Sequence, residues 1–335
     1  MKVAETPGKR SSISETAASD GAPNFTSGQD RERGRQFLFI AAILTIAYAW
    51  PLISLMIYAA GTDLHSHILL IPIVSGYLLW GQRKSVPPSQ RDGLSRVCAI
   101  AIAGVAVAAL AGALFFGLGQ GVLSKNDFLA LTTFSYVCFL VAGGFAFLGR
   151  FWMAKATFPA AFLIFMVPLP DQVVIWFEMG LMVASAEASD LLFALSGTPY
   201  LRDGQTFQLP GITLEVAQEC SGIRSSWVLF ITSILASHIL LTKRWRRIAL
   251  VAVVIPLGIL RNGFRILVIG MLCVHISPDM IHSIIHKRGG PLFFALSLIP
   301  LFLFLWWLRR GDHQGQPPKS EEEAASGDRN SGAGL

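Results

Sequence analysis

The chain has 335 residues, 53% of them hydrophobic and 14% charged, with a formal net charge of +6 and a mean hydropathy of +0.55. Soluble domains carry about 25% charged residues, so this composition lacks the polar surface of a water-soluble globule. The positive charge sits in short clusters between apolar runs, which reads as membrane topology and not as a nucleic-acid surface.

Residues 1–36 and 311–335 are polar, rich in small and charged residues, and are expected to be disordered tails. No signal peptide is expected, because about 35 polar residues precede the first apolar run. Residues 37–310 form the folded part. A membrane helix needs roughly 20 apolar residues, and the candidate spans are 37–60, 67–82, 96–118, 127–149, 151–168, 222–242, 248–276 and 290–308. The second is short and carries Pro72 and Gly76.

Orientation follows from the basic loops. Arg31, Arg33 and Arg35 precede the first span, and Arg83, Lys84, Arg91 and Arg96 separate the second from the third. Arg150 and Lys155 flank the fourth connection, Lys243, Arg244, Arg246 and Arg247 the sixth, and Arg309 and Arg310 follow the last span. Every alternate connection is basic, which predicts both termini in the cytoplasm. Residues 171–197 are apolar but contain Glu178, Glu187 and Asp190. At a bilayer centre each carboxylate costs about 2.5–3.5 kcal/mol on insertion scales, so this stretch is expected to be an interfacial or re-entrant helix on the outer face. Residues 206–216 alternate apolar and polar about Pro210-Gly211, the pattern of a small β-hairpin. Pro-Gly suits a type II turn better than the tight hairpin types, so a loop longer than two residues is expected. The expected fold is thus an all-α polytopic membrane protein of about eight transmembrane helices, with a small extracytoplasmic interfacial helix and a β-hairpin.

The hairpin runs into Glu219-Cys220-Ser221-Gly222-Ile223-Arg224, where a polar stretch meets the apolar run from Trp227. A cysteine at such a junction sits at a helix start, whose free N–H groups and dipole favour a thiolate. Cys98, Cys138 and Cys273 fall inside apolar runs, and no spacing suggests a disulfide framework or a zinc site. Locally, Cys220 reads either as a nucleophile or as a small packing residue. On the same predicted outer side, Arg261 and Arg265 lie four apart, and so on one helix face, with Asn262 beside the first. Intramembrane arginines mark functional sites or paired structural groups. His282 and His286 share the i, i+4 spacing, without the acidic partner of a metal helix, so neither metal nor cofactor is expected. His65 and His67 open the second span from outside, as structural residues or as lining of the same cavity.

A cysteine, a histidine and an arginine together suit acyl transfer: attack on a carbonyl, proton transfer, and support of the oxyanion. Two other readings fit the same residues. One is a transporter whose arginines bind an anion, and the other is a non-catalytic scaffold for polysaccharide export.

Five segments in order, HSHILLIPIVSGYLLWGQR (65–83), FPAAFLIFMVPLP (158–170), LEVAQECSGIRSS (214–226), RNGFRI (261–266) and HKRGGPLFF (286–294), resemble the exosortases, polytopic membrane cysteine transpeptidases. The resemblance implies cleavage of C-terminal (PEP-CTERM-like) sorting signals on membrane-anchored substrate proteins, linked to protein sorting and exopolysaccharide-associated export. It implies a bacterial inner membrane location with the active site on the periplasmic side. It assigns catalysis to Cys220, Arg265 and His286, with Asn262, Arg261, Ser221, Gly222, His282 and His67 as supporting candidates. Two positions depart from the pattern: Pro291 stands where an aromatic commonly follows the glycine, and Ile68 where glycine is common.

Overall fold

The structure, a computed structural model, describes residues 27–62, 64–82, 92–216, 222–277 and 290–313. The first apolar run is two helices, α1 (Ser27–Ala47) and α2 (Ala49–Gly61), which meet at 69°. Pro51 explains the break. It has no N–H for the carbonyl four residues back, and its ring crowds that carbonyl, which belongs to Ala47, the last residue of α1. After a 3₁₀ turn at Ser66–Leu69 comes α3 (Ile71–Gln82), only 12 residues long. Next come α4 (Gly93–Gly112), which continues as π-helical turns through Ala113–Gly119, and α5 (Lys125–Phe147). Ser135 on α5 donates to the Ala106 carbonyl of α4 at 2.8 Å, and the Tyr48 hydroxyl lies 2.8 Å from the same Ser135 oxygen.

The expected span at 151–168 is instead three short pieces: α6 (Arg150–Lys155), α7 (Thr157–Phe162) and a 3₁₀ turn at Leu163–Met166. The rule seen at Pro51 applies again, since Pro159 stands four residues after Lys155, where α6 stops. This segment runs antiparallel to α9 (Ile223–Leu240). Phe158 stacks on His238 at 3.6 Å, while Phe165 meets Trp227 near the start of α9.

The largest difference from the sequence-based expectation is α8 (Asp171–Ser196). It is longer than the small helix expected, one unbroken helix of 26 residues that ends at Gly197 in the left-handed region (φ 68°). Of its four carboxylates, Glu187 and Asp190 are compensated by Arg202 from outside the helix. Arg202 donates to both oxygens of Glu187, one of them at 3.1 Å, and stands 3.5 Å from Asp190. By length and apolar composition six helical stretches among the described residues suit a membrane crossing, or seven if the bent α1–α2 pair is one span. α8 is among them, whereas the 67–82 and 151–168 segments are too short or too broken. The chain is an all-α multi-pass membrane protein carrying a small sheet.

That sheet has three antiparallel strands, β1 (Leu201–Asp203), β2 (Thr206–Leu209) and β3 (Ile212–Glu215), in the order β1-β2-β3. The hairpin at Pro210-Gly211 was expected, but its loop is tighter than expected: Leu209 pairs directly with Ile212. Gly211 at φ 84° takes the left-handed conformation that closes a two-residue loop. Phe207, Leu209, Leu214 and Val216 are buried in one cluster with Phe193 and Ala186 of α8 and Ile266 further on.

α10 (Arg244–His275) is 32 residues long against 18 for α9, so it runs on past the start of α9 by about four turns. α8 and the sheet pack against this projecting half. Gly263 of α10 faces Ala188, and Gly270 faces Phe193 and Leu209, so α8 and α10 run parallel. At the other end, buried Arg246 donates to the Leu308 carbonyl of α11 (Gly290–His313) at 3.1 Å. The glycine contact is testable. A Cβ on Gly263 would stand 2.8 Å from that of Ala188 and 3.2 Å from backbone. Gly263→Val is therefore expected to cost about 1–3 kcal/mol, read as a lower melting temperature in detergent. Gly104→Ala, with nothing within 4 Å of the added carbon, should leave it unchanged.

Candidate active site

The site is built where β3 gives way to α9. Gly222 precedes α9 with φ 71°, and no side chain caps this end among the described residues. The Gly222 carbonyl is held from three sides. It accepts the α9 N–H of Ser226 at 3.0 Å, the Ser225 hydroxyl at 3.1 Å and Arg261 Nη2 at 3.2 Å. The same Nη2 donates to Ser226 Oγ at 3.1 Å. Arg261 is only 8% exposed, and its Nη1 is buried with no hydrogen-bond partner among the described residues.

Asn262 extends the anchor to a third helix. Its Nδ2 donates to Ser185 Oγ on α8 at 3.0 Å, and both residues are buried. A side chain on Gly222 would meet Arg261 Nη2 at 3.0 Å and Asn262 Oδ1 at 3.2 Å, so glycine is required here by space as well as by backbone conformation. One turn further along α10 lies Arg265, which is half-buried. With Asn262, Ile266 and Ile269 it forms one wall of a cavity of about 40 Å³, and Leu214, Glu215 and Val216 form the other. Both arginines follow from their spacing on one helix face, but they do different things: Arg261 grips the start of α9, and Arg265 faces the end of β3.

Of the supporting candidates, Arg261, Asn262 and Gly222 thus come together, and Arg265 stands next to them. His67 does not line the cavity. It sits in the 3₁₀ turn after α2, its Nδ1 3.1 Å from the Leu64 carbonyl. Cys220, Ser221, His282 and His286 lie outside the described residues. Sequence reasoning missed Ser185, Ser226 and the wall residue Glu215. The only signal for the first was the run of small residues Ala184–Ala186 and Ala188–Ser189, which lets α8 approach Gly263 closely.

A second polar group lies at the end of α2. His65 is 4% exposed, and neither ring nitrogen has a hydrogen-bond partner among the described residues. Its ring lies 5.4 Å from that of Tyr58. Burial, reinforced by the neighbouring His67 and only partly opposed by Asp171, lowers its pKa to about 4. Asp171 itself is tied to α5: Asn126 donates to Asp171 Oδ1 at 2.8 Å and to the Leu169 carbonyl at 2.7 Å, and the Asp171 N–H donates to Asp127 at 2.9 Å.

Compared with known proteins, residues 59–303 match the family model described as transmembrane exosortase. No curated protein and no solved structure matches the chain.

Two outcomes follow from this geometry. Gly222→Ala forces a side chain into the left-handed region and against Arg261 and Asn262; it is expected to cost about 1–3 kcal/mol, seen as a lower melting temperature in detergent. For His65 the folded pKa lies below the ordinary 6.5, so the unfolded chain binds more protons between pH 6.5 and 4. Stability is therefore full above that window and falls as the pH drops through it, by about 3 kcal/mol at most. His65→Phe should flatten this slope in thermal unfolding measured across that pH range.

Proposed function

Because the chain belongs to the transmembrane exosortase family, we propose that it is a membrane-embedded cysteine transpeptidase. It cleaves C-terminal sorting signals of the Pro-Glu-Pro type through a thioester on Cys220. The observation that carries this reading is the set of groups gathered about the described neighbour of that cysteine. Gly222, two residues after Cys220 in the sequence, is held by Arg261 and flanked by Asn262, with Arg265 one turn away. Such an anchor is costly to build for packing alone, since a buried guanidinium must find its acceptors.

In this reading the Cys220 thiolate attacks the scissile carbonyl of a membrane-anchored substrate. Arg265 donates to the oxyanion as the tetrahedral intermediate forms. The C–N bond then breaks, and the departing amine takes a proton from His286. An acceptor, water or an amine, attacks the thioester, gives its proton back to His286 and releases the thiolate. Arg261 and Asn262 support the reaction by fixing the start of α9, whose positive end favours the anionic sulfur. Ser221 lies beside the nucleophile in sequence, and His282 lies one turn before His286 by spacing. The enzyme works in the bacterial inner membrane with its site on the periplasmic side and both termini in the cytoplasm, sorting proteins associated with exopolysaccharide export.

The test is co-expression with a tagged reporter ending in a Pro-Glu-Pro motif, an apolar helix and a basic tail. Wild type is expected to shorten the reporter and to form a hydroxylamine-cleavable adduct. Cys220→Ala should abolish both, and intact processing by that variant would overturn the mechanism. Arg265→Lys keeps the charge and loses the planar fork; it should cut the rate by about 10²-fold or more while the protein still accumulates. His286→Ala should slow turnover far more than it slows labelling of Cys220 by a membrane-impermeant thiol reagent.

A further inference from the structure

β3 precedes the segment that bears Cys220, and among the described residues its outer edge is open. Val216 donates to the Gln205 carbonyl at 3.0 Å, and Phe207 pairs with Leu214 and Leu209 with Ile212. In an antiparallel ladder the hydrogen-bonded partners alternate, so Ile212, Leu214 and Val216 turn their N–H and C=O groups toward β2. Thr213 and Glu215 turn theirs away from it. Both residues are exposed, and β3 is the last strand of its sheet. Among the described residues no strand pairs with that side. The opposite edge differs: there Arg202 on β1 is occupied with Glu187 and Asp190.

Along the β3 margin runs the cavity of about 40 Å³ described above, with Leu214 and Val216 facing Ile266 and Ile269 and with Arg265 and Asn262 at its polar part. Its lining is mostly apolar, with Arg265 and Asn262 at one part, so it is a notch suited to an apolar side chain. An open strand edge over such a notch is how extended peptides are bound: the backbone completes the ladder, and alternate side chains enter the notch.

We propose that the substrate peptide binds as a fourth strand on the free edge of β3, using the outward N–H and C=O groups of Thr213 and Glu215. This rests on the transpeptidase reading. Chain direction fixes the arrangement. The bond to be cut must reach Cys220, which follows β3, so the residues on its acyl side lie parallel to β3 with their C-terminal end toward Val216. One small apolar side chain of that segment occupies the notch beside Arg265.

The experiment compares two substitutions at one position in the full chain, with the tagged reporter described above. Thr213→Pro removes an outward N–H and leaves the β2 pairing untouched, a placement that edge strands tolerate. Thr213→Ala removes only the side chain. The proline variant is expected to raise the reporter level for half-maximal processing about tenfold above that of the alanine variant. Equal processing by the proline variant, the alanine variant and wild type would overturn the strand while leaving the transpeptidase reading standing. No processing by wild type would instead sink that reading.

Should Thr213→Pro fail to accumulate, disulfide cross-linking decides, in a Cys220→Ser background that holds the reporter uncut. Thr213→Cys and Glu215→Cys are expected to trap reporter cysteines two residues apart, Thr213→Cys taking the upstream one. The reverse order, loss of the two-residue period, or exclusive cross-linking to cysteines introduced within residues 278–289 of the same chain would overturn the proposal.

Discussion

The architecture turns on one buried cation. Arg261 reaches from the middle of α10 to the carbonyl of Gly222, and through Ser226 to the first turn of α9. A guanidinium removed from water is tolerated only when acceptors replace the solvent, and two of them come from the point where the sheet ends and α9 begins. The neighbouring Asn262 makes the same junction fast to α8 through Ser185. Three helices are thereby fixed at one place by two consecutive side chains. Glycines at 222, 258 and 263 are the counterpart of that bonding: a side chain at each would meet Arg261, Ser226 or Ala188 at 3.0 Å or less.

This arrangement explains how two arginines on one helix face come to differ. Spacing alone made Arg261 and Arg265 look equivalent, and the pattern of residues around Arg265 favoured it for chemistry. Depth separates them. Arg261 is buried at the height where α9 begins, while Arg265, one turn later, lies beyond that point, where β3 replaces α9 as the neighbour. The division is between a residue that fixes backbone and a residue that looks into a cavity.

Much of the fold was legible in the sequence because it depends on local signals. The hairpin at Pro210-Gly211, the helix from Ile223 and the long apolar run ending near His275 could all be read from alternation, apolar length and breakers. What could not be read depends on partners distant in sequence. The carboxylates of Glu187 and Asp190 count against a buried helix only until Arg202 is brought beside them by β1, a strand too short to show alternation. At 151–168 the apolar content reads as one helix, whereas Pro159 helps divide it into short pieces. Within the candidate site, Asn262 could be named from sequence, but Ser185 could not, since a serine in a run of small residues carries no sign of what it faces.

α10 passes without interruption from the bundle into the half that carries the sheet, and this has a mechanical consequence. The sheet rests on the same rod that bears Arg261 and Arg265. Arg265 and the strand it faces thus share one support. The turns at Gly204 and Gly211 belong to the sheet and take no part in the anchor at Gly222. Sequence drift in those turns and in the outward face of the strands can therefore reshape what the sheet presents without disturbing the arginine anchor.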